Sequence, residues 1–229
     1  MSGEEGGIAD SLIADNLARV RERIARAAAR AGRQPEGITL VAVSKKQPAA
    51  AVRAALAAGV SDLGENYVQE AVEKREVVPQ GRWHLLGHLQ TNKARAAVSL
   101  FDLIESVDSV KLARTLGRQA TALGKTQEVL LQVHLGDEAT KTGLPPEQAR
   151  DAAWEIAAIP GLALRGLMGI APLGVDPRPH FRDLRRLFDG LPDANRQTLS
   201  MGMSGDFEIA IEEGATAVRV GTAIFGSRT

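Results

Sequence analysis

Residues 38–63 read ITLVAVSKKQPAAAVRAALAAGVSDL, and this stretch contains one complete unit of the fold. A run rich in β-branched residues at 38–43 predicts a strand, the Ala-rich segment at 49–58 has helical spacing, and a second short strand is predicted at 60–63. Parallel strands need a crossover of about a dozen residues or more, which is usually a helix. The stretch therefore predicts a strand–helix–strand unit of an α/β protein.

The same alternation continues along the rest of the chain. Further strands are predicted at 82–86, 101–104, 129–135, 162–168, 198–200 and 217–220, and further helices at 67–77, 92–98, 110–123, 146–158, 179–188 and 205–213. Eight strands with helices between them can close into a (β/α)8 TIM barrel, and a doubly wound open sheet is the main alternative. An additional amphipathic helix is predicted at 8–31, ahead of the first strand. We therefore expect one domain over 1–229, with the barrel at 38–226.

Charge and composition exclude several classes of protein. The 229 residues carry 28 Lys and Arg against 28 Asp and Glu, so the balance favours neither nucleic acid nor an anionic membrane as a partner. The chain has no Cys, which excludes thiolate catalysis and Cys-ligated metals, and no His, Asp or Glu spacing resembles a metal site. The acidic start at 1–7 is not typical of a signal peptide, and the apolar runs are far shorter than the roughly 20 residues of a membrane span. We expect a cytoplasmic protein without a metal.

Polar side chains at the carboxyl ends of the strands are candidates for the site, because a barrel carries its site there. The first strand is followed by Ser44, Lys45 and Lys46. Alternation puts Lys45 on the same face as Val43 and Lys46 on the opposite face, so only one lysine can point into the barrel mouth. A desolvated lysine there can form a Schiff base, whereas a solvated lysine at a strand end is the simpler interpretation.

A phosphate-binding corner is predicted after the last two strands. Arg219 lies in the apolar eighth strand and needs an acceptor, either a ligand in the mouth or an inner carboxylate. Gly221 and Thr222 follow it, Ser200 ends the seventh strand, and Ser204 lies just before the next helix. Backbone N–H groups and hydroxyls in two neighbouring loops suit a phosphate, although Ser204 could simply cap that helix.

Two other polar residues have two interpretations each. Asn66, after the second strand, could bind a ligand or cap the helix at 67–77. His84 lies within the third strand, where a lone histidine is more often a satisfied core group than an acid or base. The residues alone leave two chemistries open. The strand-one lysine could act on a phosphorylated sugar, as in a cofactorless aldolase, or on the aldehyde of pyridoxal 5′-phosphate (PLP).

A series of motifs carries a resemblance to a known family. In chain order they are AVSK at 42–45, LGENYVQE at 63–70, WH at 83–84, GHLQTNK at 87–93, RGLM at 165–168, LSMGMS at 199–204 and VRVGTAIFG at 218–226. Together they closely resemble the pyridoxal phosphate homeostasis protein family. The resemblance implies the barrel of the alanine racemase N-terminal domain, which is fold type III among PLP proteins.

The resemblance also implies a role for each matching residue. It makes Lys45 the lysine that holds PLP as a Schiff base, and it places Arg219 at the pyridine nitrogen. It assigns the phosphate to Ser204, Gly221 and Thr222. It places the remaining cofactor-binding residues at or near the ring: Asn66, His84, Met168 and Ser200.

The implied function is PLP homeostasis, with the cofactor buffered or delivered and with apo PLP-dependent enzymes as candidate partners. An arginine at the pyridine nitrogen disfavours its protonation, and this weakens carbanion chemistry. Racemases of this barrel type add a tyrosine from a C-terminal β-domain, whereas this chain ends at Thr229 and its one tyrosine is Tyr67. We expect a monomer with little or no catalytic activity. The alternatives are a weak PLP-dependent amino-acid racemase and a cofactorless Schiff-base aldolase.

Overall fold

The structure, a computed structural model, describes residues 2–136 and 142–226. The strands in this part of the chain are β1 (Thr39–Val43), β2 (Asp62–Glu65), β3 (Arg82–Leu85), β4 (Leu103–Val107), β5 (Gln127–His134), β6 (Leu162–Ile170), β7 (Thr198–Ser200) and β8 (Ala217–Val220). They pair in parallel and in chain order, and β8 pairs with β1, so the sheet is closed. The predicted (β/α)8 barrel is confirmed, and the open-sheet alternative is wrong.

A helix precedes the barrel and a helix follows each strand. The helices are α1 (Ser2–Arg30), α2 (Ala49–Ala57), α3 (Val68–Val77), α4 (Ala94–Leu100), α5 (Val110–Ala122), α6 (Pro146–Ala157), α7 (Arg178–Asp189), α8 (Phe207–Glu212) and α9 (Thr222–Phe225). Short 3-10 turns lie at Pro35–Gly37, Thr91–Lys93 and Asp193–Asn195. The last helix, α9, was not predicted, because four residues after a glycine are too few to show helical spacing.

The N-terminal helix begins earlier than the predicted range of 8–31. The apolar spacing that sets the predicted start begins only at Ile8, so the turns before it could not be predicted from spacing. Its later turns pack on α2, α8 and α9. The side chains that α1 buries are Ile13, Leu17, Val20, Ile24, Ala27 and Ala28.

Two strands lie later in the chain than predicted. The predicted ranges were 60–63 for β2 and 101–104 for β4. Each observed strand extends to residues that are polar and yet fully buried: Glu65 in β2, and Glu105 and Ser106 in β4. A search for apolar runs ends a strand before such residues. Both shifts therefore mark places where polar groups enter the interior.

Apolar side chains are buried in two separate places. The larger cluster lies between the strands and the helices and includes the large side chains of Trp83 and Phe207. A small second cluster faces the inside of the barrel and consists of Leu103, Leu130 and Met168. Buried polar side chains share that inner face, so the barrel interior is not a purely apolar core.

Candidate functional site

A cavity of about 250 Å³ opens at the carboxyl ends of the strands, and we call it the mouth cavity. Its wall is formed by residues at or after the ends of β1, β2, β3, β6, β7 and β8. It brings together six of the predicted cofactor-binding residues: Lys45, Asn66, Ser204, Arg219, Gly221 and Thr222. The other three, His84, Met168 and Ser200, are buried and do not belong to this wall.

The two lysines after β1 separate as the alternation predicts. Lys45 is half-buried and lines the mouth cavity, whereas Lys46 is exposed. Lys46 has a φ of 60°, and it is the one non-glycine residue with positive φ in the described ranges. Its backbone N–H donates to Glu70 Oε2 at 2.8 Å. Non-glycine residues in this conformation are uncommon and concentrate at functional sites. The turn that carries Lys45 is therefore held in an unusual backbone shape.

Asn66 and Ser204 do not cap the helices that follow them. The N-cap of α3 is Tyr67 and that of α8 is Asp206, so the capping interpretation is wrong for both residues. Instead, Ser204 Oγ accepts hydrogen bonds from the backbone N–H groups of Gly221, at 3.3 Å, and Ala223, at 3.4 Å. The hydroxyl thus joins the loop after β7 to the start of α9. This contact assembles the predicted phosphate corner from two segments of chain.

Gly221 is a position where a side chain would not fit easily. A Cβ atom there would lie 3.2 Å from the carbonyl oxygen of Val43, at the end of β1. The glycine therefore lets the phosphate corner approach the strand that carries Lys45. The amine and the corner come to line one cavity for this reason.

A series of hydrogen-bonded side chains, which we call the interior polar chain, runs beneath the mouth cavity. Arg219 Nη1 donates to Ser200 Oγ at 2.6 Å, and Ser200 Oγ donates to Glu105 Oε2 at 2.5 Å. The second carboxylate oxygen of Glu105 lies 2.7 Å from His84 Nδ1, and His84 Nε2 lies 3.0 Å from Asp62 Oδ1. The five side chains come from five different strands, and all of them are buried. The interior polar chain therefore crosses the inside of the barrel from β2 to β8.

Arg219 has an inner carboxylate nearby and also borders the cavity. The residue lines the mouth cavity, and its Nη1 lies 3.9 Å from the inner carboxylate of Glu105. Its Nη2 also donates to the carbonyl oxygen of Gly169 at 2.8 Å. Burial lowers the pKa of Arg219, and the charges of Glu105 and Asp206 oppose that shift. A guanidinium stays protonated in proteins, so Arg219 presents a fixed cation to the cavity.

His84 is a satisfied core cation. Burial disfavours its charged form, but the hydrogen bonds that it donates to Asp62 and Glu105, and the charges of these carboxylates, raise the pKa of His84 to about 9. Burial likewise opposes ionisation of Glu105, yet His84, Arg219 and Ser200 bring the pKa of that carboxyl below its usual range. Two cations and two carboxylates therefore balance within the interior polar chain.

We expect the stability of the protein to fall as the pH rises from about 6.5 to about 9. The pKa of His84 is about 9 in the folded state and about 6.5 in an unfolded chain. A group whose pKa is raised by folding stabilises fully below its unfolded value, and that contribution disappears as the pH passes its folded value. The loss should be at most about 3 kcal/mol, since one pKa unit corresponds to about 1.4 kcal/mol.

Urea unfolding measured across this pH range tests the expectation. His84→Gln protein should show a flatter pH dependence, because it lacks the titrating group. His88→Gln is the matched control, since His88 is an exposed histidine with one carboxylate partner, Asp108. An unchanged slope in His84→Gln protein would show that another group titrates.

Sequence reasoning missed the carboxylates of the interior polar chain. Glu105 is a charged residue in the otherwise mostly apolar strand β4. The same kind of signal identified Arg219, and it would have identified Glu105 as well. Asp62 lies at the start of β2, where the predicted strand range gave it no special place. Among residues 2–136 and 142–226, no group of three or more His, Cys, Asp or Glu could hold a metal ion. No helix in these ranges is long and apolar enough to cross a membrane.

Comparison with known proteins gives sequence relatives over nearly the whole chain. Residues 16–229 match the family model for the alanine racemase N-terminal domain. The chain is 46% identical over 222 residues to the pyridoxal phosphate homeostasis protein of Pseudomonas aeruginosa, covering 95% of this chain and 96% of that protein. It is 43% identical over 226 residues to the protein of the same name from Escherichia coli K12, covering 94% and 97%.

Solved structures give the same fold. PipY of Synechococcus elongatus, in a structure with PLP bound, has a TM-score of 0.81 and 42% identity, covering 93% of this chain and 100% of PipY. An alanine racemase of Clostridium difficile has a TM-score of 0.74 at 17% identity, covering 93% of this chain and 57% of the racemase. At that identity the racemase shares the fold alone.

Proposed function

The chain belongs to the pyridoxal phosphate homeostasis protein family, and from that premise we propose that it binds PLP in the mouth cavity and buffers or delivers the cofactor. The observation that carries the proposal is the meeting of Lys45, Arg219 and the phosphate corner in one cavity. The same lysine and corner would suit a phosphorylated sugar, but family membership favours PLP over the aldolase alternative. A cytoplasmic monomer with one domain over 1–229 is part of the proposal.

The residues present fit PLP by size and by chemistry. A cavity of about 250 Å³ is slightly smaller than the roughly 300–1,000 Å³ typical for drug-sized ligands, so it suits a small cofactor. Lys45 supplies a primary amine, and Arg219 supplies a cation deeper in the barrel. The hydroxyls of Ser204 and Thr222, with the backbone at Gly221, form a corner suited to a phosphate dianion.

Each side chain has one role in this proposal. When bound, PLP supplies an aldehyde that condenses with a primary amine, and Lys45 is the residue that offers the amine. Arg219 is fixed by Ser200 and by the Gly169 carbonyl, so its guanidinium is held in one orientation, in which it would face the pyridine nitrogen. Asn66 lines the mouth cavity, where it would lie beside the ring. Met168 and Ser200 support the cavity from beneath, and His84 acts only through Glu105.

Two observations support little or no catalysis by the bound cofactor. The fixed cation of Arg219 disfavours protonation of the pyridine nitrogen, and this weakens carbanion chemistry. Tyr67, the one tyrosine of the chain, is 53% exposed and is not among the residues that line the mouth cavity. Neither feature suits racemisation. The curated relatives are named for homeostasis and not for a reaction.

Cofactor transfer is the experiment that tests this function. PLP titrated into the purified protein should give a saturable absorbance change, and the loaded protein should activate an apo PLP-dependent enzyme faster than an equal concentration of free PLP. Transfer no faster than from free PLP would remove the delivery role, and an unchanged absorbance would contradict PLP binding. Racemisation of amino acids at rates typical of enzymes, lost in Lys45→Ala protein, would contradict a non-catalytic role.

A further inference from the structure

The LGENYVQE motif at 63–70 is only partly used by the proposed site. Asn66 lines the mouth cavity, but Glu65 and Glu70 do not belong to its wall. Both glutamates instead surround the ammonium group of Lys74, on α3. We call Ser44, Glu65, Glu70 and Lys74 the Lys74 cluster.

The Lys74 cluster holds the backbone on both sides of Lys45. On the N-terminal side of Lys45, Lys74 Nζ donates to the carbonyl oxygen of Ser44 at 2.6 Å. The same ammonium group donates to Glu65 Oε1 at 2.6 Å. Ser44 Oγ donates to the same Glu65 oxygen at 2.6 Å. On the C-terminal side of Lys45, Glu70 Oε2 accepts a hydrogen bond from the backbone N–H of Lys46 at 2.8 Å. The same oxygen lies 3.5 Å from Lys74 Nζ. One ammonium group therefore links both neighbours of Lys45.

The same contacts close the turn that contains Lys45. The Ser44 carbonyl oxygen accepts a second hydrogen bond, from the backbone N–H of Gln47 at 2.9 Å. Lys46, between them, has the positive φ of 60°. Such a conformation costs of order 1 kcal/mol or more and persists only where surrounding contacts impose it. The contacts of Lys74 and Glu70 are the ones that impose it here.

Burial argues that the Lys74 cluster does more than stabilise the fold. Ser44 and Glu65 are 0% exposed, and the Lys74 side chain is 10% exposed. Removing such an ion pair from water costs about as much as its attraction returns, so apolar residues would serve stability equally well. Glu65 Oε2 is also buried without a hydrogen-bond partner, a further cost. What the charged groups add is a fixed position for the backbone beside Lys45.

We propose that Lys74 is a positioning residue that fixes the turn of Lys45, so that the Lys45 amine faces the phosphate corner across the mouth cavity. The inference rests on the proposed function, because it concerns how the amine meets the aldehyde of PLP. Lys74 acts through Ser44 directly and through Glu70 on Lys46.

The test separates reaction with the aldehyde from binding of the ring and phosphate. Lys74→Met keeps an unbranched side chain, one atom shorter, and removes its donors. We expect it to slow covalent attachment of PLP about tenfold or more, since small misplacements of a reacting group cost that much. The rate is followed by absorbance after rapid mixing, and the product is trapped by borohydride reduction. Affinity for pyridoxine 5′-phosphate, which has no aldehyde, should change less than twofold.

Three further variants complete the test. Glu73→Gln removes an exposed carboxylate from the same helix and should behave as wild type. Lys74→Arg restores a donor and should recover most of the rate. Glu70→Ala frees the Lys46 N–H without stranding a fully buried charge, so it decides the matter if Lys74→Met protein does not fold. We expect attachment in Glu70→Ala protein to be about threefold slower than in wild type.

The outcomes distinguish this inference from the proposed function. Attachment at the wild-type rate in both Lys74→Met and Glu70→Ala protein would overturn the positioning role. An equal loss of PLP attachment and pyridoxine 5′-phosphate binding would also overturn it, because it would indicate general damage to the cavity. Failure of the wild-type protein to attach PLP at all would instead contradict the proposed function.

Discussion

Lys45→Ala protein is expected to form no covalent bond with PLP, whereas Lys46→Ala protein should form it at close to the wild-type rate. The reason is geometric, since Lys45 lines the mouth cavity and Lys46 is exposed. The two variants are a matched pair, because each removes one lysine from the same turn. Borohydride reduction followed by mass spectrometry of the modified peptide identifies the attached residue.

Binding without attachment provides a second measurement for this pair. Arg219, Ser204 and Thr222 are unchanged in Lys45→Ala protein, so we expect pyridoxine 5′-phosphate to bind it with an affinity within a few-fold of wild type. A covalent PLP adduct in Lys45→Ala protein, or its loss in Lys46→Ala protein, would show that the turn presents the other lysine.

Glu105→Ala should be the most destabilising single substitution in the interior polar chain. It leaves the cations of His84 and Arg219 buried without the carboxylate between them. Removing one partner of a buried ion pair typically costs about 3–5 kcal/mol, and we expect a loss of that size in the free energy of unfolding. Urea unfolding at neutral pH measures it.

Glu155→Ala is the control for this measurement. Glu155 pairs with Arg114 on the surface, where its side chain is 47% exposed, and exposed pairs are worth at most about 1 kcal/mol. If Glu105→Ala protein does not fold, Glu105→Gln keeps the hydrogen-bond geometry and should show a smaller but measurable loss. A loss in Glu105→Gln no larger than in the control would mean that the carboxylate charge is not needed.

The barrel could be predicted because its signal is local and repeated. The ranges of β7 and β8, 198–200 and 217–220, were correct, and β8 is a short, mostly apolar strand between Thr216 and Gly221. The ranges of β2 and β4 were displaced by the buried polar residues Glu65 and Glu105. Strand limits depend on what lies opposite each residue in the closed sheet, and a single sequence does not show that.

Some residues of the candidate site could likewise be predicted from the sequence, and others could not. Lys45 and Arg219 were found because each is a charged residue in or beside an apolar strand. The pairing of Glu105 with His84 and Ser200 joins residues up to 95 positions apart, and only the register of the closed barrel brings them together. Lys74 was missed for a different reason. A lysine on a helix with other charged residues is usually solvated, and nothing in its spacing indicates burial.

The interior polar chain has a consequence for protein engineering. The orientation of Arg219 depends on Ser200 in β7, on Glu105 in β4, and through it on His84 in β3. These partners lie in the strands of the barrel and not in the loops at its rim. Grafting the rim loops onto another TIM barrel would therefore transfer the lysine and the phosphate corner, but it would transfer neither Arg219, which lies in β8, nor the strand residues that hold it. A transplant of the whole site would have to include the inner faces of four strands, β3, β4, β7 and β8.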